Sequence, residues 1–465
     1  MNLSIKKCAL VFIAILATTA AVSENSKLSN LAPFTNDSGV ARTFNTDGAI
    51  DLSNPFFQSL GTNGRSCGSC HQPGDAWSVT PAHIQARFAS TQGLDPIFRT
   101  NDGADCPSAD VSTVAARQQA YSMLLSKGLI RVSIGVPQNA NFTITSIDDP
   151  HNCPDTQVSS LALFRRPLPS TNLPFLTTVM WDGRETFAGQ PLQFDLTHQA
   201  TDATFGHAQA AISPTAEQLA QIVSLETGNF SAQSSDNAAN DLGAKGATGG
   251  PVALSQQRFF PGINDPLGGN PTGAAFNPTV FTLFDSWSGL SGDSTKEARA
   301  SVARGQALFN NFQFTISGVT GLNDLPAIGP SLRGTCTVCH DTPNVGNHSV
   351  PLAINIGIAD YPAMPALDTT GLPVYTVHCD GVARPLNQPA TFQTTDPARA
   401  LQTGRCADVG KTKGPILRDL SARPPYFHNG SAATLRDVVN FYDQRFNIGF
   451  TDQQKADLVA FLQSL

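Results

Sequence analysis

The clearest hydrophobic pattern lies at the C-terminal end. Leu458, Phe461, Leu462 and Leu465 recur at i, i+3, i+4 and i+7, which is one face of a helix. Thr451 and Gln454 provide a capping-box start for it. Just upstream, Leu435, Val438, Val439 and Tyr442 repeat the same spacing and predict a second helix. An Ala-rich stretch bearing Arg and Glu predicts a third over Lys296 to Phe309. A fourth is expected over Val111 to Lys127. Strand signals are short and weak, with Phe142 to Ile147 and Leu352 to Ile358 as candidates. Residues 231 to 278 are rich in Gly, Asn, Ser and Pro and read as long surface loops. With 38 Gly and 32 Pro in 465 residues, much of the chain is expected to be irregular.

Composition narrows the class. Hydrophobic residues make up 40 % and charged residues 14 %, which fits a globular protein with a real core. A net charge of −7 and the lack of a basic cluster argue against nucleic-acid binding. Residues 1 to 23 read as a cleaved secretory leader, with Lys6 and Lys7 before a short apolar stretch from Ala9 to Ala17. The alternative is an N-terminal anchor. No later segment is long and apolar enough to span a membrane. Of nine cysteines, Cys8 leaves with the leader, and four belong to two Cys-x-x-Cys-His motifs. Cys106, Cys153, Cys379 and Cys406 remain, an even number that suggests disulfides in an exported protein. Placement favours Cys106 with Cys153 and Cys379 with Cys406. Four cysteines still allow three pairings, and free buried thiols are the alternative.

The two motifs carry the chemistry. Cys67-Gly68-Ser69-Cys70-His71 and Cys336-Thr337-Val338-Cys339-His340 lie 269 residues apart, one in each half. In this pattern two thiols attach to haem vinyl groups and the following His turns onto the iron. Zinc would require a second ligand pair for each motif, and a redox dithiol would not require the His. Two covalent c-type haems, with His71 and His340 as axial ligands, are therefore expected. The expected architecture is mainly α, with two cytochrome c-like haem domains over residues 24–285 and 290–465. The first domain would carry an insertion at about 75–160 as well as the Gly-rich loops.

Several motifs then form a recognisable series. Gly414-Pro415-Ile416-Leu417-Arg418-Asp419-Leu420, Pro425-Tyr426-Phe427-His428-Asn429-Gly430, Thr434-Leu435 and Phe441-Tyr442-Asp443 resemble the C-terminal domain of bacterial di-haem cytochrome c peroxidases. Trp181-Asp182-Gly183-Arg184, followed by Gln199-Ala200, resembles their first half. The series looks closer still to the methylamine-utilisation (MauG-like) branch. The resemblance implies peroxide chemistry at the His71 haem and electron entry at the His340 haem, with Trp181 between them. It implies a periplasmic protein that takes electrons from a small cytochrome c or cupredoxin and delivers them to hydrogen peroxide. A Tyr at position 442 implies a His340–Tyr442 ligand pair, as in the MauG-like branch; Met364 is the competing ligand. His428 would pack beside or hydrogen-bond a haem propionate.

The sequence also departs from that pattern. The family supplies a Gln and then a Glu about ten residues later for acid–base work. Gln199 matches the Gln, but Gln209 stands at the Glu spacing and Asp202 comes early. His207 could do the acid–base work, close the iron as a sixth ligand, or be an ordinary surface His. His198 is a weaker candidate. His151 lies roughly where the peroxidases carry a His that blocks the first haem. The resemblance also implies calcium, held by an Asn about fifteen residues before the Trp and by backbone carbonyls before the Phe-His pair. Arg166 stands at the Asn position, and Arg423 and Pro425 at the carbonyl positions. A cation at the side-chain position opposes calcium, which leaves that site open. A MauG-like protein-modifying oxidase and a non-enzymatic electron carrier are the rival readings.

Overall fold

The computed structural model describes residues 26–154 and 156–465. The expected leader lies outside the described residues. Among the described residues, no helix is long and apolar enough to cross a membrane.

Helix prediction succeeds where periodicity is strong. The last helix spans Asp452–Gln463, and its cap is reciprocal. Gln454 N donates to Thr451 Oγ1 at 3.2 Å, and Thr451 N donates to Gln454 Oε1 at 2.9 Å. Leu458, Phe461, Leu462 and Leu465 are all buried. The preceding helix spans Leu435–Phe446, and the Ala-rich one spans Ser294–Asn311. Ser294–Asn311 crosses Asp452–Gln463 at Gly305, where a Cβ would lie 2.0 Å from the Asp457 carbonyl oxygen. Arg304 and Ser301 hold the Asp457 carboxylate beside that crossing, at 2.8 and 2.6 Å. Phe461 packs there against Phe281, Phe309 and Phe284. The expected Val111–Lys127 helix is two short ones, Val114–Ala120 and Ser122–Lys127.

The mainly-α expectation is wrong. The described residues are 29 % helical and 18 % strand, a mixed α/β architecture with several small sheets. One four-stranded antiparallel sheet runs in the order Pro33–Asn36, Gly39–Asn45, Asn229–Asp236, Asn240–Asp241. A second joins Asp360–Tyr361, Thr391–Thr394, Val374–Cys379 and Phe142–Asp148. The cause of the error lies in the pairing. Gly39–Asn45 is Gly-Val-Ala-Arg-Thr-Phe-Asn, and its neighbour Asn229–Asp236 begins some 190 residues later and runs into the expected loop region. Strands of such mixed polarity gain stability from cross-strand partners, which a local alternation search does not see. The Leu352–Ile358 candidate shrinks to the two-residue strand Ala353–Ile354.

Both favoured cysteine pairs form disulfides. Cys106 and Cys153 have Cα atoms 5.4 Å apart, and Cys379 and Cys406 are 6.1 Å apart. Each cross-link removes about 4 kcal/mol of loop entropy from the unfolded chain in the chain-entropy account.

Candidate functional site

The two Cys-x-x-Cys-His segments fold alike. Each begins as a single 3₁₀ turn, Cys67–Ser69 and Cys336–Val338. His71 N donates to the Cys67 carbonyl at 2.9 Å, and His340 N to the Cys336 carbonyl at 3.2 Å. Both cysteines and the His of each segment therefore line one cavity. The four cysteines are not disulfide-bonded.

Each His is also held in the same way. His71 Nδ1 lies 2.9 Å from the Trp77 carbonyl oxygen, and His340 Nδ1 lies 2.7 Å from that of Gly346. The acceptor is six residues downstream in both cases. A carbonyl only accepts, so Nδ1 carries the proton and Nε2 is free to ligate. Burial pulls His71 down to about 4 and lowers His340 as well, so both are neutral imidazoles, the ligating form. Burial pushes the Cys67, Cys336 and Cys339 thiols up to about 12.

The two cavities enclose about 1660 and 1600 Å³, open mouths included. Two further features fit a haem. Arg418 Nη2 and Arg423 Nε are buried without hydrogen-bond partners among the described residues, and both residues line the first cavity. Such donors match the carboxylates that a haem carries. Among the described residues, neither Cys-x-x-Cys pair is joined by a second set of metal ligands, as zinc would require.

In the first cavity, Gln199 and His207 both reach the wall from the Leu192–Gly206 helix and its C-cap. His207 Nδ1 is hydrogen-bonded to Asp102 Oδ2, and Asp102 is in turn ion-paired with Arg65. Burial works to raise Asp102, but His207 and Arg65 outweigh it and hold the carboxyl below its usual range. His198 pairs with Glu185 at 2.7 Å instead. Asp202 is exposed beside His198, and the Gln209 amide turns towards Asn63. His151 lines neither cavity; its Nε2 lies 2.8 Å from the Gly371 carbonyl.

Tyr442 lines the second cavity with Cys336, Cys339 and His340. Burial, with Cys339 and Cys336 nearby, pushes its phenol above the usual range. Met364 lines neither cavity and packs against the cluster of Ile358, Leu367, Ala432 and Phe441. His428 is 2 % exposed and lines the second cavity, with neither ring nitrogen hydrogen-bonded among the described residues.

Trp181 lines both cavities. Its Nε1 donates to the Arg166 carbonyl at 2.8 Å, and its ring lies 6.1 Å from that of His428. The next residue, Asp182, accepts from Arg165 at 2.6 Å, and Arg165 also clamps Asp396 with two bonds of 2.7 and 3.0 Å. Asp396 lies 3.6 Å from His428 Nε2. A buried charge network thus joins the Trp-Asp-Gly-Arg segment to the Phe-His segment.

Sequence reasoning missed four residues. Asp102 and Arg65 orient His207, and neither carries a local signal beyond the nearness of Arg65 to Cys67. Lys413 lines both cavities and donates to the Thr178 carbonyl at 2.9 Å; burial pulls it down to about 7. Glu226 lines the first cavity with Oε2 unpartnered among the described residues, and burial pushes its carboxyl up to about 8. Glu226 was legible, since it occupies the i+7 place on the apolar face begun by Leu219, Ile222 and Val223.

Comparison with known proteins gives partial likenesses. No family model matches the chain. It is 29 % identical over 150 residues to the cytochrome-c peroxidase IdrP1 of Pseudomonas sp. (strain SCT), covering 29 % of this chain and 37 % of that one. It is 40 % identical over 75 residues to the IdrP1 of Denitromonas iodatirespirans, covering 14 % and 20 %. It is 38 % identical over 77 residues to the cytochrome c551 peroxidase of Nitrosomonas europaea, covering 16 % and 23 %. The chain thus spans well under half the length of these relatives. Among solved structures it matches Kuenenia stuttgartiensis hydrazine synthase at 15 % identity, covering 83 % of this chain and 93 % of that one, with a TM-score of 0.32. Over parts of its length, then, the chain is similar to proteins named cytochrome c peroxidases.

Proposed function

We propose that the chain is a periplasmic di-haem c-type oxidoreductase that reduces hydrogen peroxide at the His71 site. Electrons would come from a small redox protein through the His340 site. One observation carries the reading: two cavities, each ending on a Cys-Cys-His turn, share a wall that contains Trp181. A haem bound at each turn would supply iron that accepts and donates electrons. The chain's own residues would do the rest. His71 and His340 present Nε2 because their Nδ1 protons are tied to carbonyls. His207, held by Asp102, takes and returns the protons of bound peroxide. Gln199 offers an amide to the same space. Trp181 fills the wall with an aromatic ring across which electrons pass. Arg418 and Arg423 neutralise carboxylates at the cavity edge.

Tyr442 supports a second reading. A phenol facing the same cavity as His340 fits a MauG-like modifying oxidase, which would spend oxidising equivalents on another protein's side chain. Steady-state peroxide consumption with a reduced small cytochrome separates the two. Turnover supports the peroxidase, and oxidation of a partner protein without such turnover supports the modifying enzyme. Low-temperature EPR of the oxidised protein tests both, because low-spin signals alone from both haems would favour a plain electron carrier.

A further inference from the structure

The wall between the two cavities contains a buried positive charge with an unusual set of partners. Arg166 lines both cavities and is 5 % exposed. A buried charge is costly unless it is paired or well hydrogen-bonded. The hydrogen bonds of this guanidinium all go to backbone oxygens. Nη2 donates to the Val79 carbonyl at 2.7 Å and to the Arg423 carbonyl at 3.1 Å. Nη1 donates to the Lys127 carbonyl at 3.2 Å. The backbone N–H of Arg166 adds a fourth tie, to the His428 carbonyl at 2.7 Å.

Val79, Lys127 and Arg423 are remote in sequence, and their carbonyl oxygens converge on one cation. Proteins hold hard metal ions with convergent oxygens of this kind. Here the positive charge belongs to the chain itself. The fit is close. Gly128 has φ +61°, and a Cβ at that position would lie 2.4 Å from Arg166 Nη1. Calcium needs about six to eight oxygens at roughly 2.3–2.6 Å. It would have to compete for the Arg423 carbonyl while lying against a guanidinium. The residues present therefore do not fit the calcium site that the sequence resemblance left open.

We propose that the Arg166 guanidinium is a built-in structural cation. It takes the place of a calcium ion and ties the Val79, Lys127 and Arg423 segments together across the wall between the cavities. The protein then needs no calcium.

The test uses the full-length protein with both haems attached. It is exposed to calcium chloride, desalted and assayed for bound calcium. Thermal midpoint and low-temperature EPR are compared with and without EGTA. The expected result is no retained calcium, with an unchanged midpoint and unchanged haem signals. Arg166→Met should lower the midpoint by roughly 5 °C or more. One calcium retained per chain, or an EGTA-induced fall that calcium reverses, would overturn the proposal. An Arg166→Met protein that melts with the wild type would overturn it too. Should that variant fail to accumulate, the wild-type chelation and calcium measurements decide alone. None of these readouts depends on peroxide turnover.

Discussion

Glu226→Gln isolates a single buried carboxyl. Glu226 is 6 % exposed, lines the first cavity and has Oε2 without a partner among the described residues. Burial raises its pKa from the ordinary 4.5 to about 8. Each pH unit of that displacement is worth about 1.36 kcal/mol, so the full penalty for ionising the group is about 5 kcal/mol. The sign follows from linkage. The folded pKa lies above the unfolded one, so the unfolded state loses its proton first. The wild type is therefore unpenalised below about pH 4.5 and loses stability as pH rises towards 8. A Gln of the same shape does not titrate. Between pH 6 and pH 8 the variant should gain about 2 kcal/mol on the wild type. Denaturant unfolding of both proteins at several pH values, followed by circular dichroism, measures that gap. A gap that stays constant across the interval refutes the assignment of a buried neutral carboxyl.

Three further outcomes are expected. Asp102→Asn should cost roughly 3–5 kcal/mol of stability, because it leaves Arg65 buried without its anion. It should also cut peroxide turnover roughly a hundredfold, and turnover at the wild-type rate would exclude His207 as the acid–base group. Tyr442→Met should move the potential of one haem upward, within the span of roughly 0.8 V that axial ligands cover. Optical redox titration reads this, and unchanged potentials would remove Tyr442 from the iron. Gly305→Ala should destabilise by about 1–3 kcal/mol in thermal unfolding, although Ala is the better helix former. A stabilised variant would show that the helix crossing is looser than described.

Legibility in the sequence followed the range of the interactions. The Leu435–Phe446 and Asp452–Gln463 helices were readable because each apolar face recurs at i, i+3, i+4 and i+7, and the second also shows its cap locally. The attachment motifs were readable because their chemistry is contiguous. The Phe142–Asp148 strand was readable, but its sheet was not, since its partner Val374–Cys379 lies far along the chain. The site divides in the same way. His207 stood out as a His near a matched Gln, but its orienting carboxylate comes from a loop 105 residues earlier. Arg166 could be seen to oppose calcium, yet nothing local showed where its guanidinium would go.

The two cavities differ in a way that bears on their division of labour. The first is walled by Asp102, His207 and Glu226, groups able to hold or move protons, and by Gln199 and Arg184. The second is lined by Ile, Leu, Val and Phe side chains from several elements, the Leu435–Phe446 and Asp452–Gln463 helices among them, with Tyr442 and with Arg166, Lys413 and Arg423, which it shares with the first. Peroxide reduction consumes protons at the site where the oxygen–oxygen bond breaks, so it needs titratable side chains there. A site that only passes electrons works best dry, because polar surroundings must reorganise at each change of charge. The cavity that holds the carboxyls and His207 therefore suits the proton-consuming half of the proposed reaction, and the other suits electron entry. Trp181 is placed in the wall where the two must meet.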